Sequence, residues 1–243
     1  MRVIVTGASR GIGRAIARAL ACAGATVGIG FATSREGAEE TAKLVTDAGA
    51  RALLVPADVG DASAVERAFT SFAEEAGGID ALVVNAGAHV SGLLATTDAG
   101  AVDRLVRTNV TGPIACARAA LPSMLARKNG VILFIGSVAA SRPARGQAAY
   151  AATKASVEAL TRAIAVEYAR KGIRAVCLRP GAVETAMLEA TRAMAEDEIV
   201  ARIPARRIAL PEEIARMARV LLSDEASYVN GAVVDVDGGY AVA

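Results

Sequence analysis

The fold is decided by residues 3–13, which read Val3-Ile4-Val5-Thr6-Gly7-Ala8-Ser9-Arg10-Gly11-Ile12-Gly13. Three apolar residues predict a short strand, a glycine-rich loop follows it, and a helical pattern begins near residue 11. This arrangement directs backbone N–H groups and a helix N-terminus at a phosphate, and glycine is needed where a side chain would block that ligand. The stretch therefore predicts a dinucleotide-binding unit that uses Gly7, Ser9, Arg10, Gly11, Ile12 and Gly13.

The rest of the 243-residue chain alternates strands with helices. Nearly all-apolar runs predict strands buried on both faces of a parallel sheet, at 3–6, 26–31, 52–55, 81–84, 131–136, 174–178 and 232–236. Longer patterns predict helices at about 11–24, 34–49, 61–76, 98–127, 147–171 and 211–223. The alternation predicts an α/β, doubly wound Rossmann fold, with one mostly parallel seven-stranded sheet and helices on both faces. We expect a single domain over 1–243, with an irregular insertion over the site at about 182–210.

Composition excludes several classes of function. The net charge is +2, aromatic residues make up 3% and tryptophan is absent, so we expect no nucleic-acid partner. His89 is the single histidine, which excludes metal sites built on two or three histidines, and we expect no metal. Cys22, Cys116 and Cys177 form no CxxC pair and are expected to be buried, reduced thiols. No signal sequence or membrane-length apolar run is evident, so we expect a cytoplasmic protein without a membrane segment.

The end of the second predicted strand indicates which nicotinamide cofactor binds. An acidic residue there would bond the adenine ribose hydroxyls and repel a 2′-phosphate. No carboxylate follows the strand until Glu36, whereas Arg10, Thr33 and Ser34 can receive the phosphate. Arg35 either assists them or simply begins a solvated helix. NADP(H) is therefore expected in preference to NAD(H).

Tyr150 and Lys154 lie four residues apart in a predicted helix, and therefore on one face of it. A tyrosine hydroxyl ionises only near pH ~10, but a nearby ammonium favours the phenolate, which makes such a pair useful for proton transfer. Ser137 ends the fifth predicted strand, where its hydroxyl either holds a substrate oxygen or caps the following segment. Asn109 is a poor helix former inside the predicted helix 98–127. It is either a surface residue or a point where the helix loosens and orders a water behind the lysine.

These motifs resemble those of the classical short-chain dehydrogenases/reductases over essentially the whole chain. The matching residues, in the order and spacing of that family, are Thr6-Gly7-Ala8-Ser9-Arg10-Gly11-Ile12-Gly13, Asp58-Val59, Asn85-Ala86-Gly87, Asn109, Ser137, Tyr150-x-x-x-Lys154 and Pro180-Gly181. Val84 departs from the pattern, because the family usually has a first asparagine there. The resemblance implies an enzyme that needs neither histidine nor a metal.

The resemblance also implies a role for each residue. Tyr150 would donate the proton during reduction, and Lys154 would assist it and bind the nicotinamide ribose. Ser137 would bond the substrate oxygen, while Asn109 would hold a proton-relay water. The remaining residues would contact the cofactor: Asp58, Val59, Asn85, Ala86, Gly87, Pro180, Gly181, Val183 and Thr185.

Within the family, several stretches are most similar to the bacterial 3-oxoacyl-[acyl-carrier-protein] reductases: residues 6–17, 32–40, 135–140, 146–154 and 223–231. This similarity implies an NADPH-dependent homotetramer that reduces a 3-oxoacyl thioester in fatty-acid or polyketide/polyene-type biosynthesis. Two alternatives stay open. One is an NAD(P)-dependent dehydrogenase of another secondary alcohol or ketone, and the other is a non-catalytic dinucleotide-binding protein.

An acyl carrier protein is acidic, so its docking surface is expected to be basic. Arg127, Lys128, Arg170 and Lys171 end two predicted helices, and in the resembled reductases these positions flank the active-site mouth. Cations at helix C-termini also complement the helix dipole, so the four residues either dock the carrier or stabilise their helices. His89 is expected to be a solvated loop residue rather than part of the entrance.

Overall fold

The computed structural model describes residues 1–186 and 196–243. Seven strands form one sheet in the order β3-β2-β1-β4-β5-β6-β7, and each strand is parallel to its neighbours. The strands are β1 (Arg2–Val5), β2 (Thr26–Phe31), β3 (Arg51–Pro56), β4 (Ala81–Val84), β5 (Gly130–Ile135), β6 (Ile173–Pro180) and β7 (Val233–Val236). The predicted doubly wound sheet is therefore confirmed.

Helices pack on both faces of this sheet. They are α1 (Gly11–Ala19), α2 (Arg35–Asp47), α3 (Ala62–Ala76), α4 (Ala99–Val106), α5 (Gly112–Arg127), α6 (Ala148–Tyr168), α7 (Glu196–Ala201) and α8 (Pro211–Leu222). One hydrophobic core unites α1, α2 and α8 on one face, and a second unites α3, α5 and α6 on the other. Alternating side chains of the central strands supply both cores, which explains their all-apolar sequences.

The strand order reverses between β1 and β4, which lie side by side. In an open parallel sheet, a crevice forms at the carboxyl ends of the strands where the order reverses. The loops that follow β1, β4 and β5 meet at this edge. The topology therefore brings the glycine loop and the segment around Ser137 to one place.

Three local expectations were wrong. The predicted helix 98–127 is divided, because a π-helical turn, Arg107–Thr111, separates α4 from α5. Strands β3 and β7 lie at the two edges of the sheet and are partly exposed rather than buried on both faces. Cys116 and Cys177 are buried, but Cys22 is exposed, because α1 ends at Ala19 and leaves Cys22 in the loop before β2.

The expected insertion at 182–210 falls partly outside the described residues, which omit 187–195. The part that is described contains α7 and an isolated parallel bridge between Val183 and Ala209. Across residues 1–186 and 196–243, no helix is long and apolar enough to cross a membrane.

Candidate active site

The glycine loop approaches the neighbouring strand too closely for larger residues. Gly7 and Gly11 have φ angles of +63° and +58°, a region that glycine adopts without steric cost. A Cβ atom on Gly13 would lie 2.3 Å from the carbonyl oxygen of Gly7 and 2.5 Å from Nδ2 of Asn85. Glycine at these positions therefore lets the loop turn sharply and pack tightly against the end of β4.

Thr6 and Asn85 fasten the glycine loop to the end of β4. The Thr6 Oγ1 atom accepts hydrogen bonds from the backbone N–H groups of Asn85 and Ala86, at 2.9 and 3.0 Å. In return, Asn85 Nδ2 donates to the carbonyl oxygens of Thr6 and Gly7, both at 3.0 Å. Sequence reasoning assigned Asn85 to the cofactor, but it gave Thr6 no site role, although this threonine opens the glycine motif.

The N-terminus of α1 is open to an anion. The helix begins at Gly11, the Arg10 side chain makes no capping hydrogen bond, and no acidic residue occurs in the first turn. Unpaired N–H groups and the positive end of the helix dipole attract a phosphate in such a place. The residues present therefore fit the pyrophosphate of a dinucleotide.

The loop after β2 lies against the glycine loop. A Cβ atom on Gly37 would contact both the Ser9 carbonyl oxygen, at 2.7 Å, and Ser34 Oγ, at 2.9 Å. Thr33, Ser34 and Arg10 are exposed, so they are accessible to a ligand at this corner. Arg35 begins α2, as expected, and pairs with Glu39 at 2.9 Å.

The other residues expected at the cofactor extend along the same edge. Asp58 Oδ1 accepts the N–H of Gly60 at 2.9 Å, and Val59 is buried against Gly112. On the opposite side, the Thr185 methyl group lies 3.3 Å from where a Cβ atom of Gly11 would stand. Pro180 is the last residue of β6, and Gly181 and Val183 follow it.

Tyr150 and Lys154 lie on the first turns of α6, at the carboxyl edge of the sheet. Both are buried, with 8% and 7% of their surface exposed. Lys154 Nζ donates to the carbonyl oxygen of Ile135, the last residue of β5, at 2.9 Å. The same Nζ atom is 5.9 Å from the centre of the Tyr150 ring. The structure thus joins the two predicted residues and holds the ammonium group beside the phenol.

Asn109 occupies the π-helical turn and is 2% exposed, so the surface alternative is wrong. Its Oδ1 atom accepts the Ala88 N–H at 2.8 Å, and its Nδ2 atom donates to the Ala88 carbonyl oxygen at 2.9 Å. Nδ2 also donates to Thr153 Oγ1 at 3.1 Å. Asn109 therefore connects the chain after β4 to α6. Thr153, between Tyr150 and Lys154, was missed because no local pattern reveals this partner.

Ser137 follows β5 and is half-buried. Its Oγ atom accepts the N–H of Ala139 at 3.2 Å and so caps the short 3₁₀ turn Val138–Ala140. Ala139 shares a hydrophobic cluster with Tyr150. Ser137 thus makes the expected capping contact, and Ala139 brings the turn that it caps against Tyr150.

His89 lies against Tyr150, and its expected position as a solvated loop residue is wrong. The two rings meet edge to face, with centroids 4.7 Å apart and planes at 73°. Burial lowers the pKa of His89, so the imidazole is neutral at physiological pH. Since Asn109 holds the neighbouring Ala88, the loop after β4 fixes this histidine beside the tyrosine.

The predicted basic patch of Arg127, Lys128, Arg170 and Lys171 lies at the opposite edge of the sheet from Tyr150. Lys128 and Gly172 are in contact where β5 and β6 begin, and Gly130 N–H bonds the Gly172 carbonyl at 3.2 Å. About 30 Å of helix separates Tyr150 from Arg170, at 1.5 Å per residue. Arg127 is engaged by the Gly77 carbonyl and lies 3.8 Å from Asp80. Within one chain, therefore, the patch does not flank the active-site mouth.

Sequence comparison finds relatives along nearly the full length. The family model described as Enoyl-(Acyl carrier protein) reductase matches residues 7–241. The cis-4-hydroxycyclohexanecarboxylate dehydrogenase of Sinomonas cyclohexanicum is 41% identical over 98% of this chain and 95% of its own. The 3-oxoacyl-[acyl-carrier-protein] reductase FabG of Escherichia coli is 38% identical over 97% of this chain and 95% of its own.

Solved structures agree with this assignment. A short-chain dehydrogenase/reductase mutant from Serratia marcescens superposes with a TM-score of 0.94 at 33% identity, and covers 99% of this chain and 98% of its own. A gluconate 5-dehydrogenase from Burkholderia cenocepacia, solved in complex with NADP and tartrate, superposes with a TM-score of 0.93 at 35% identity. The match covers 100% of this chain and 95% of that one. The chain belongs to the short-chain dehydrogenase/reductase family of oxidoreductases.

Proposed function

We propose that this oxidoreductase uses NADPH to reduce a 3-oxoacyl thioester, carried by an acyl carrier protein, to the 3-hydroxyacyl form. The buried pair of Tyr150 and Lys154 beside the open glycine cradle carries this proposal. Relatives that are 35–38% identical and named 3-oxoacyl-[acyl-carrier-protein] reductase support the substrate class. In this proposal the whole chain acts as one dinucleotide-binding domain in the cytoplasm, in fatty-acid or polyketide/polyene-type biosynthesis.

The chain's own residues bind and orient the ketone and move the proton. A nicotinamide cofactor supplies the hydride that reduces the ketone carbon. The ketone oxygen is held between the hydroxyl groups of Ser137 and Tyr150, where hydrogen bonds stabilise the negative charge that develops on it. Tyr150 then gives its phenolic proton to that oxygen.

Lys154 and Asn109 support this transfer. The Lys154 ammonium lies beside the Tyr150 ring, where its positive charge would stabilise the phenolate that remains after the proton is given up. Asn109 is buried behind the lysine, and we propose that it holds the water through which the proton is replaced. The residues proposed to contact the cofactor are Gly7, Ser9, Arg10, Gly11, Ile12, Gly13, Thr33, Ser34, Asp58, Val59, Asn85, Ala86, Gly87, Tyr150, Lys154, Pro180, Gly181, Val183 and Thr185.

NADP(H) is the proposed cofactor because of the corner formed by the loop after β2. Ser34 Oγ and the Ser9 carbonyl oxygen lie together there, and Arg10, the residue after Ser9, is exposed. Hydroxyl and guanidinium donors suit a 2′-phosphate, whereas a carboxylate at this place would repel it. The NADP bound in the similar gluconate 5-dehydrogenase supports the same choice.

A second function is favoured by one comparison. The relative that is 41% identical is named for a hydroxycyclohexanecarboxylate, which is a secondary alcohol with a carboxylate. The same Ser137 and Tyr150 hydroxyl groups would serve the oxidation of such an alcohol. The alternative is therefore an NAD(P)-dependent dehydrogenase of a cyclic hydroxy acid.

Steady-state assays of purified protein distinguish the two functions. We expect kcat/KM for NADPH-dependent reduction of an acetoacetyl thioester to exceed that for oxidation of cis-4-hydroxycyclohexanecarboxylate at least tenfold, and NADPH to be preferred over NADH. The absorbance of the reduced cofactor measures both reactions. A higher kcat/KM for the cyclic alcohol would assign the second function, and no turnover of either substrate would leave both proposals without support.

The basic patch is proposed to dock the acidic carrier in a homotetramer. Since about 30 Å of α6 separates the patch from Tyr150 of the same chain, a docked carrier would serve the active site of another subunit. Opposite charges favour encounter of the two proteins more than they change the chemical step.

Replacing Lys128 and Lys171 with glutamate is expected to raise KM for a carrier-bound substrate about tenfold or more at low salt, because two attractive charges become repulsive. The kcat/KM for the same acyl group on a small thiol is the matched control and should not change. An equal KM for the carrier-bound substrate in the variant and the wild type would contradict docking at this patch.

A further inference from the structure

A partly buried cluster of charges lies one helical turn beyond Lys154. Arg179, near the end of β6, forms a two-pronged ion pair with Asp235 of β7, in which Nη2 is 2.8 Å from Oδ2. Its Nη1 atom donates to Glu158 of α6 at 3.2 Å. The Arg179 and Glu158 side chains are only 14% and 13% exposed. The cluster therefore ties the helix that carries Tyr150 to the last two strands of the sheet.

Glu158 and Lys154 stand on the same face of α6, because residues four apart are neighbours on a helix. Both also act on the buried Cys177 thiol of β6. The pKa of Cys177 is raised to about 12, mainly by burial and also by Glu158, while Lys154 and Arg179 oppose the rise. The Cys177 thiol itself therefore stays neutral.

Arg179 is a permanently charged partner for Glu158. A hydrogen bond to Asp235 is the main cause that raises the pKa of Arg179, and Glu158 adds to it, so the guanidinium is always charged. Lys154 donates instead to the backbone carbonyl of Ile135. Together with Lys154, the cluster holds two cations, Lys154 and Arg179, and two carboxylates, Glu158 and Asp235, so it is neutral overall. The Lys154 ammonium remains beside Tyr150.

We propose that Arg179 is a positioning residue for the reaction: it holds Glu158 away from Lys154, so the ammonium charge acts on Tyr150 and sets the pH range of proton transfer. This inference rests on the proposed proton transfer by Tyr150. Among the described residues, the charged or titratable groups around this pair come from four elements. His89, in the loop after β4, contacts the Tyr150 ring, Glu158 follows Lys154 on α6, Cys177 lies on β6, and Arg179 of β6 binds both Glu158 and Asp235 of β7.

Charge-changing variants test the inference through the alkaline limb of kcat/KM for ketone reduction, where Tyr150 loses its proton. Arg179→Met leaves the cluster with one net negative charge, which disfavours the Tyr150 phenolate. The midpoint of the alkaline limb should therefore move to higher pH by on the order of half a unit. Glu158→Gln should move it to lower pH by a similar amount. The double variant is neutral again and should return the midpoint close to that of the wild type.

Two controls separate this effect from a general loss of structure. Arg51→Met removes one charge from the exposed pair of Arg51 and Glu75, far from the site, and should leave the midpoint unchanged. Arg179→Lys keeps the charge and should restore most of the wild-type profile. If Arg179→Met fails to fold, Glu158→Gln and Arg179→Lys still carry the test. A purely structural role would lower the melting temperature and rate without moving the midpoint.

A second readout needs neither substrate nor cofactor. The absorbance of ionised tyrosine, taken as the difference between each protein and its Tyr150→Phe counterpart, should show the same ordering of midpoints. Unchanged midpoints in the folded single variants, or an equal shift in Arg179→Met and the double variant, would overturn the inference. If Tyr150→Phe itself keeps full activity, the proposed function fails instead.

Discussion

Tyr150→Phe is expected to lower kcat for ketone reduction by about a thousandfold, within the range of general acid catalysis. The variant lacks the phenolic proton that the developing alkoxide needs. Ser137 and the other residues proposed to contact the cofactor are unchanged, so KM for NADPH should stay within about twofold. The rate of cofactor consumption at saturating substrate measures the effect.

The folded structure should tolerate this substitution, because phenylalanine keeps the ring that packs on His89 and within the cluster of Leu105 and Ala139. The melting temperature should therefore match that of the wild type, and the affinity for NADPH should stay within about twofold of it. Tyr168→Phe, at the far end of α6, is the matched control and should retain full turnover. A Tyr150→Phe variant with wild-type kcat would show that another group delivers the proton.

Gly13→Ala is expected to lower the free energy of unfolding by about 2–3 kcal/mol, the usual cost of overpacking, and to weaken NADPH binding at least tenfold. Alanine is the better helix former by roughly 0.5–1 kcal/mol. At this position, however, the new methyl group would overlap the Gly7 carbonyl oxygen and the Asn85 amide, so the glycine loop must move. Denaturant unfolding and NADPH titration measure the two effects.

Gly100→Ala is the matched control, since Gly100 lies in the first turn of α4. Its Cβ atom would meet only the ends of the Asp98 and Arg104 side chains, at 3.2 and 3.5 Å. We expect its stability to equal or exceed that of the wild type. If Gly13→Ala behaved in the same way, the glycine loop would be more adaptable than its contacts with Asn85 indicate.

Much of the fold and the site followed from local patterns. The nearly all-apolar runs predicted the seven strands to within a few residues. The five central strands are buried, and a strand buried on both faces shows no polar alternation. The helical spacing of Tyr150 and Lys154 placed both on one face of α6, as the structure shows. For the π-helical turn, the sequence indicated only that Asn109 loosens a helix. The turn itself depends on the bonds of Asn109 with Ala88 and Thr153, which are distant in the chain.

The errors share a physical cause, which is that they concern contacts between distant parts of the chain. His89 appeared solvated because its partner, Tyr150, is 61 residues away, and only folding brings their rings together. The four basic residues were expected to flank the active site. They lie at the other edge because α5 and α6 both run back towards the amino ends of the strands.

The sequence by itself determined the Rossmann fold, the glycine cradle and the identity of the Tyr150–Lys154 pair, because strand burial, tight turns and helical spacing act over a few residues. The tertiary structure alone decided how those parts are held. Thr6 bonds Asn85, Asn109 bonds Ala88, and Arg179 joins Glu158 to Asp235. Each of these contacts depends on the order of the strands and the rotation of the helices upon them, which no local pattern encodes.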